Sequence, residues 1–150
     1  MFPYTHFSFL HHRNLGATKR NVRQSNTSVP IPLAILVVEF RDEVFATIRG
    51  ELTNREISIL RASSTEAVVP AWRQRNPGLI IINAEMPDES GFLVSLKLRM
   101  HGFHGGLWLY SAHAANTARN YQEFCQVDRL FCYGGDLRAL TAHVNRFLQP

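Results

Sequence analysis

The stretch LIIINAEMPDESGF, residues 79 to 92, begins with four apolar residues, meets a single amide at Asn83, and then turns through Met86-Pro87 and Ser90-Gly91. A continuous run of mostly branched residues bounded by turn signals is the pattern of a strand covered on both faces, as in a parallel sheet. Asn83 therefore stands where a buried strand surfaces.

The same pattern extends in both directions along the chain. LAILVVEF (33 to 40), GLWLYSA (106 to 112) and RLFCY (129 to 133) read as further strands, and EISILRAS (56 to 63) is amphipathic, as an edge strand would be. Between and after them, helices are expected at about 42 to 52, 65 to 75, 90 to 101, 115 to 125 and 136 to 148. Ser64-Thr65-Glu66 and Asp136 suit helix starts, while Asn76-Pro77-Gly78 and His101-Gly102 suit helix stops. Strands alternating with helices specify an α/β fold: a doubly wound, five-stranded parallel sheet in a three-layer sandwich with five helices, of flavodoxin-like strand order 2-1-3-4-5. Such sheets place their site at the carboxyl ends of the central strands. Here those ends are Glu39-Phe40, Asn83, Ser111 and, from the fifth strand, Tyr133.

With 150 residues, 45% of them hydrophobic, the chain suits one domain with a proper core. Cys125 and Cys132 form neither a CxxC pair nor a metal-ligand cluster, so a reducing, cytoplasmic compartment is expected. No apolar run approaches the roughly 18 residues of a membrane span. The net charge of +4 comes from the first 38 residues, where Arg13, Lys19, Arg20 and Arg23 face no acid; beyond them the 12 acids are balanced. Nucleic acid is thus not an expected partner, since the cations form no dense patch. Residues 1–32 read as a basic, disordered N-terminal arm, and residues 33–150 as the domain. For the arm, leader sequence, a transit peptide and a basic contact segment all remain open.

From these residues the domain resembles the receiver domain of two-component response regulators, the CheY-like phosphorelay fold. ILVVEF matches the first strand and its acidic pair, and PGLIIINAEMPDESGF matches the third strand, phosphoacceptor and Met-Pro-Asp-x-Ser-Gly turn. LYSAHA matches the fourth strand with its switch hydroxyl, Ser111, and VDRLFCYGGDLRAL the fifth strand and last helix. The resemblance covers about three quarters of the chain and implies a signalling role rather than an enzyme.

Against that family pattern the departures stand out. Asn83 occupies the phosphoacceptor position, and an amide with a delocalised lone pair is a very poor nucleophile. Deamidation to aspartate is disfavoured by Ala84 in the next position. Of the acidic metal pair, Glu39 remains and Phe40 replaces its neighbour, so Mg²⁺ binding is expected to be weak or absent and no cofactor is expected. Tyr133 stands at the family's lysine and Gly134 at its proline. The pocket is expected to be less polar, with Phe40 and Tyr133 filling the ion's space and Arg41 or Arg129 available to neutralise Glu39.

Weaker constellations imply no chemistry. Gly134-Gly135 reads as a tight turn; His101, His104 and His113 gather at one end of the fold without ligand spacing; Ser111 lacks a GxSxG elbow. Trp72 and Trp108 are expected in the hydrophobic layers.

The combined expectation is a degenerate, stand-alone pseudo-receiver that acts through protein–protein interaction, independent of phosphorylation. Its partner would be a histidine kinase or another signalling protein, or a second copy in a homodimer. Contact is expected through residues 115 to 148, with Tyr121, Phe124, Leu130, Leu137, Leu140 and Val144 contributing. A phosphorelay regulator controlled at an atypical site and a flavodoxin-like small-ligand binder are the alternatives. Because the arm has no periodic apolar face to bury, a chain beginning at Pro32 should melt close to the full-length temperature in a thermal scan. A loss of several degrees would show that the arm packs on the domain.

Overall fold

The structure, a computed structural model, describes residues 34–53, 56–113 and 118–149, so the expected arm lies outside the described residues. The chain order is β1 (Ala34–Val38), α1 (Asp42–Glu51), β2 (Ser58–Ala62), a 3-10 turn (Thr65–Ala67) running into α2 (Val68–Arg75), and β3 (Leu79–Asn83). It continues with α3 (Gly91–Met100), β4 (Gly106–Ser111), α4 (Ala118–Phe124), β5 (Arg129–Cys132) and α5 (Arg138–Phe147). All strand pairs are parallel, in the order β2-β1-β3-β4-β5. The expected fold is the observed one, with β2 at an edge and half-exposed as its amphipathic sequence requires.

Alternation along the strands divides the core into two layers. Leu36, Val38, Ile80, Ile82, Leu107 and Leu109 face one way and pack with Val68 of α2, Val94 and Leu98 of α3, and Cys125 beyond α4. Ile35, Val37, Leu79, Ile81, Trp108 and Tyr110 face the other way, against Ile48 of α1 and Leu140 and Val144 of α5. Both tryptophans join these layers, Trp108 buried and Trp72 half-buried against Phe103.

Helix ends follow local chemistry, with one departure. Asn76 adopts a left-handed conformation (φ 45°) that stops α2, and Gly102 (φ 93°) does the same after α3. Asp136 accepts a bond from the Arg138 N–H at 2.9 Å and so caps the start of α5. The helical segment starts at Ser64 as expected, but Ser64 makes no side-chain cap; Asp88 accepts from the Thr65 N–H at 2.8 Å and its hydroxyl at 2.7 Å instead. A carboxylate outside the segment thus does the work expected of the local serine.

The turn after β3 is closed tightly on the strand. The Gly91 N–H bonds the Ala84 carbonyl at 2.9 Å, and a Cβ at Gly91 would lie 2.5 Å from the Asn83 carbonyl oxygen. The atoms it would meet are all backbone of Asn83 and Ala84, which leaves nothing flexible to yield. Gly91→Ala should therefore lower unfolding free energy by about 2 kcal/mol in urea titration; an unchanged midpoint would mean that the α3 start is free to shift.

Candidate functional site

Glu39 follows β1 in the same alternation as Ile35 and Val37, and Asn83 follows Leu79 and Ile81 on the neighbouring strand. Tyr110 lies beside Asn83 in register on β4. The two-residue period therefore points all three side chains toward the α1–α5 side at the carboxyl edge of the sheet. Tyr133, just past β5, joins the same layer.

At the centre is the Glu39 carboxylate, fully buried. Its Oε1 accepts from the Arg41 backbone N–H at 2.8 Å and from Arg41 Nε at 3.1 Å. Its Oε2 accepts from Arg41 Nη2 at 3.1 Å, from Asn83 Nδ2 at 3.0 Å, and from the Tyr110 hydroxyl. Arg41 Nη2 also donates to the Tyr133 hydroxyl at 2.8 Å. Burial by itself would raise the Glu39 carboxyl, but the bonds from Arg41 and Tyr110 outweigh it and hold the pKa below the ordinary carboxylate range. Arg41 is held protonated by its bonds to Glu39, and Tyr110 is pushed well up by burial and the adjacent carboxylate, so it stays neutral.

The loop that carries Glu39 is fixed from β2. Arg61 Nε donates to the Glu39 carbonyl at 3.0 Å, Nη2 to the Phe40 carbonyl at 3.1 Å, and Nη1 to Asp42 Oδ1 at 2.6 Å. Phe40 consequently turns outward, 40% exposed, with the Arg41 guanidinium 5.4 Å from its ring centroid.

Asn83 uses both halves of its amide. Nδ2 donates to Glu39, while Oδ1 accepts from the Glu85 N–H at 2.9 Å. A carboxylate could accept from Glu85 but would meet Glu39 as a second anion. The amide is the residue type this neighbour requires.

Several expectations are corrected by this geometry. Phe40 does not fill the cleft; the Arg41 guanidinium and Tyr133 do, and the centre is a polar network rather than an apolar plug. Arg129 does not neutralise Glu39, because it lies 5.4 Å over the Trp108 ring. The three histidines do not gather: His101 and His104 precede β4, and His113 follows it. Of the expected contact residues, Leu137, Leu140 and Val144 are core and Leu130 is half-buried, whereas Tyr121 (57%) and Phe124 (70%) are exposed. Tyr110, Arg61 and Glu85 were not anticipated. The parity of Trp108 and Tyr110 within GLWLYSA would have placed the tyrosine beside Asn83, but it reads equally well as core.

Solved structures share this fold. A Thermotoga maritima response regulator, determined in complex with Mg²⁺ and beryllofluoride, matches over 77% of this chain and 98% of its own, with 22% identity and a TM-score of 0.65. A Francisella response regulator receiver domain gives 16% identity over 77% and 95% with a TM-score of 0.68, and a Vibrio cholerae chemotaxis response regulator gives 13% over 77% and 98% with 0.67. No family model and no curated protein matches the sequence. These likenesses establish the receiver-domain fold.

The Mg²⁺ of the Thermotoga regulator raises the question of how the donor set here is engaged. A hard dication needs several free oxygens, including anionic ones. Both oxygens of Glu39 already accept from the chain's own donors, Asn83 presents an N–H to that carboxylate, and a guanidinium lies within bonding distance. Among the described residues no cluster of three His, Cys, Asp or Glu side chains could hold an ion.

The network makes two expectations testable. Asn83→Asp should cost about 3 kcal/mol at neutral pH, because it sets a second carboxylate against buried Glu39; denaturant titration reads the loss, and an equal midpoint would refute the contact. The lowered Glu39 pKa contributes stability that is fully present above the unfolded value of 4.5 and is lost as pH falls through the lower folded value. Acid titration of stability should thus be flatter between pH 4.5 and the lower folded value in Glu39→Gln than in the parent.

Proposed function

We propose that this chain is a signalling module of the receiver type that acts by binding a protein partner, independently of phosphorylation and without turnover. The observation that carries the reading is the saturated Glu39 carboxylate, whose two oxygens are committed to Arg41, Asn83 and Tyr110. The position expected to take a phosphoryl group is an amide that is itself bonded on both sides. Arg41 supplies internally the positive charge that a metal would otherwise bring.

Partner contact is assigned to the α4 surface within residues 115 to 148, where Tyr121 and Phe124 present aromatic rings to solvent. Exposed aromatics of this kind are frequent anchors of protein interfaces. Changing both to serine should leave unfolding free energy within about 0.5 kcal/mol, because neither is core, while removing partner binding.

The deciding experiment is an NMR titration with Mg²⁺ and beryllofluoride. No saturable change at Glu39, Asn83 or Ser111 is expected; a saturable, Mg²⁺-dependent shift would overturn the reading. Asn83→Asp alone should not restore a response, since Arg41 would still occupy Glu39 and no lysine would stand at Tyr133.

A further inference from the structure

Ser111, the switch hydroxyl of the sequence reading, is buried at the carboxyl end of β4, and its partner is a residue with no assigned role. Glu85 sits two residues past Asn83, on the turn between β3 and α3. Its carboxylate reaches across to the next strand: Oε1 accepts from the Ser111 hydroxyl, and Oε2 from the Ala112 N–H at 3.3 Å. Ser111 Oγ in turn accepts from the His113 N–H at 3.1 Å. The Glu85 N–H is bonded to Asn83, so the contact runs unbroken from Arg41 and Glu39 to the segment that follows β4.

We propose that Glu85 is an internal latch that fixes Ser111, Ala112 and His113 in one arrangement at the end of β4. The inference rests on the phosphorylation-independent reading above and says how that state is maintained. A carboxylate is an acceptor-only group with two oxygens, so it engages a hydroxyl and an adjacent amide together, as any oxyanion placed there would. Its own charge also opposes the entry of a second anion at this spot. The arrangement of Ser111, Ala112 and His113 is then set by the chain itself and needs no transferred group.

The test is amide hydrogen exchange on the full chain in metal-free buffer, for the parent, Glu85→Ala, Ser111→Ala and the double variant. The Ala112 amide is the readout, and the Ile81 amide at the sheet centre reports global opening. Glu85→Ala should speed Ala112 exchange about tenfold with Ile81 unchanged, and the double variant should be no faster than Glu85→Ala alone. Glu85→Gln, which keeps one acceptor oxygen, should fall between. Unchanged Ala112 exchange in Glu85→Ala, or effects of the two single variants that simply multiply, would overturn the latch. If a variant opens globally, Ala112 and Ile81 accelerate together, and the Glu85→Gln series then decides: parental exchange at Ala112 refutes the latch and intermediate exchange sustains it. A beryllofluoride response of the parent protein would strike the functional reading alone, because the exchange comparison contains neither metal nor phosphoryl analogue.

Discussion

A carboxylate taken wholly out of water must be matched by fixed donors, and Glu39 sets that requirement for the whole carboxyl edge of this sheet. Arg41 answers most of it, with one backbone and two side-chain donors contributed from only two residues away. Asn83 and Tyr110 supply the rest. Each neighbour is then constrained by its use: the amide cannot become an acid, the phenol cannot ionise, and the guanidinium cannot leave without stranding a charge. Tyr133 caps the outer side of the arginine, its ring 5.5 Å from that of Tyr110.

The geometry that permits this is inherited from the layers below. Strands of alternating composition fix which side chains share a face, and the parallel register brings Asn83 level with Tyr110. The close seating of Gly91 against the end of β3 then fixes where the following turn runs, and with it the reach of Glu85 toward β4. A receiver-type sheet can in this way carry a site whose charges balance internally.

The sequence made the fold legible because hydrophobic period and turn residues agree at nearly every boundary: LIIIN is β3 to the residue, and the other elements shift by a few positions. The residue types at the carboxyl edge, Glu39, Asn83, Ser111 and Tyr133, were legible too, since they are read at fixed places in the sequence. What fills the space between them was not. Arg41 and Arg129 look alike in sequence, and only the path of the loop, drawn back by Arg61, decides that one meets Glu39 while the other covers Trp108. Phe40 was misjudged for the same reason: its side chain goes where that loop sends it. Side-chain direction in a loop depends on contacts far away in sequence, which no local pattern encodes.

The Arg61 clamp has a consequence for the order in which the site comes together. It spans only 19 to 22 residues, within a single β-α-β unit, whereas Glu39 meets Asn83 across 44, Tyr110 across 71, and Arg41 meets Tyr133 across 92. Short closures give up the least chain entropy, so the first third of the domain can shape the Glu39–Arg41 fork before the later strands dock. In that order the remaining donors would close on a partly neutralised carboxylate, and the desolvation of Glu39 would be spread over successive strand additions, with no single step having to bury a bare charge.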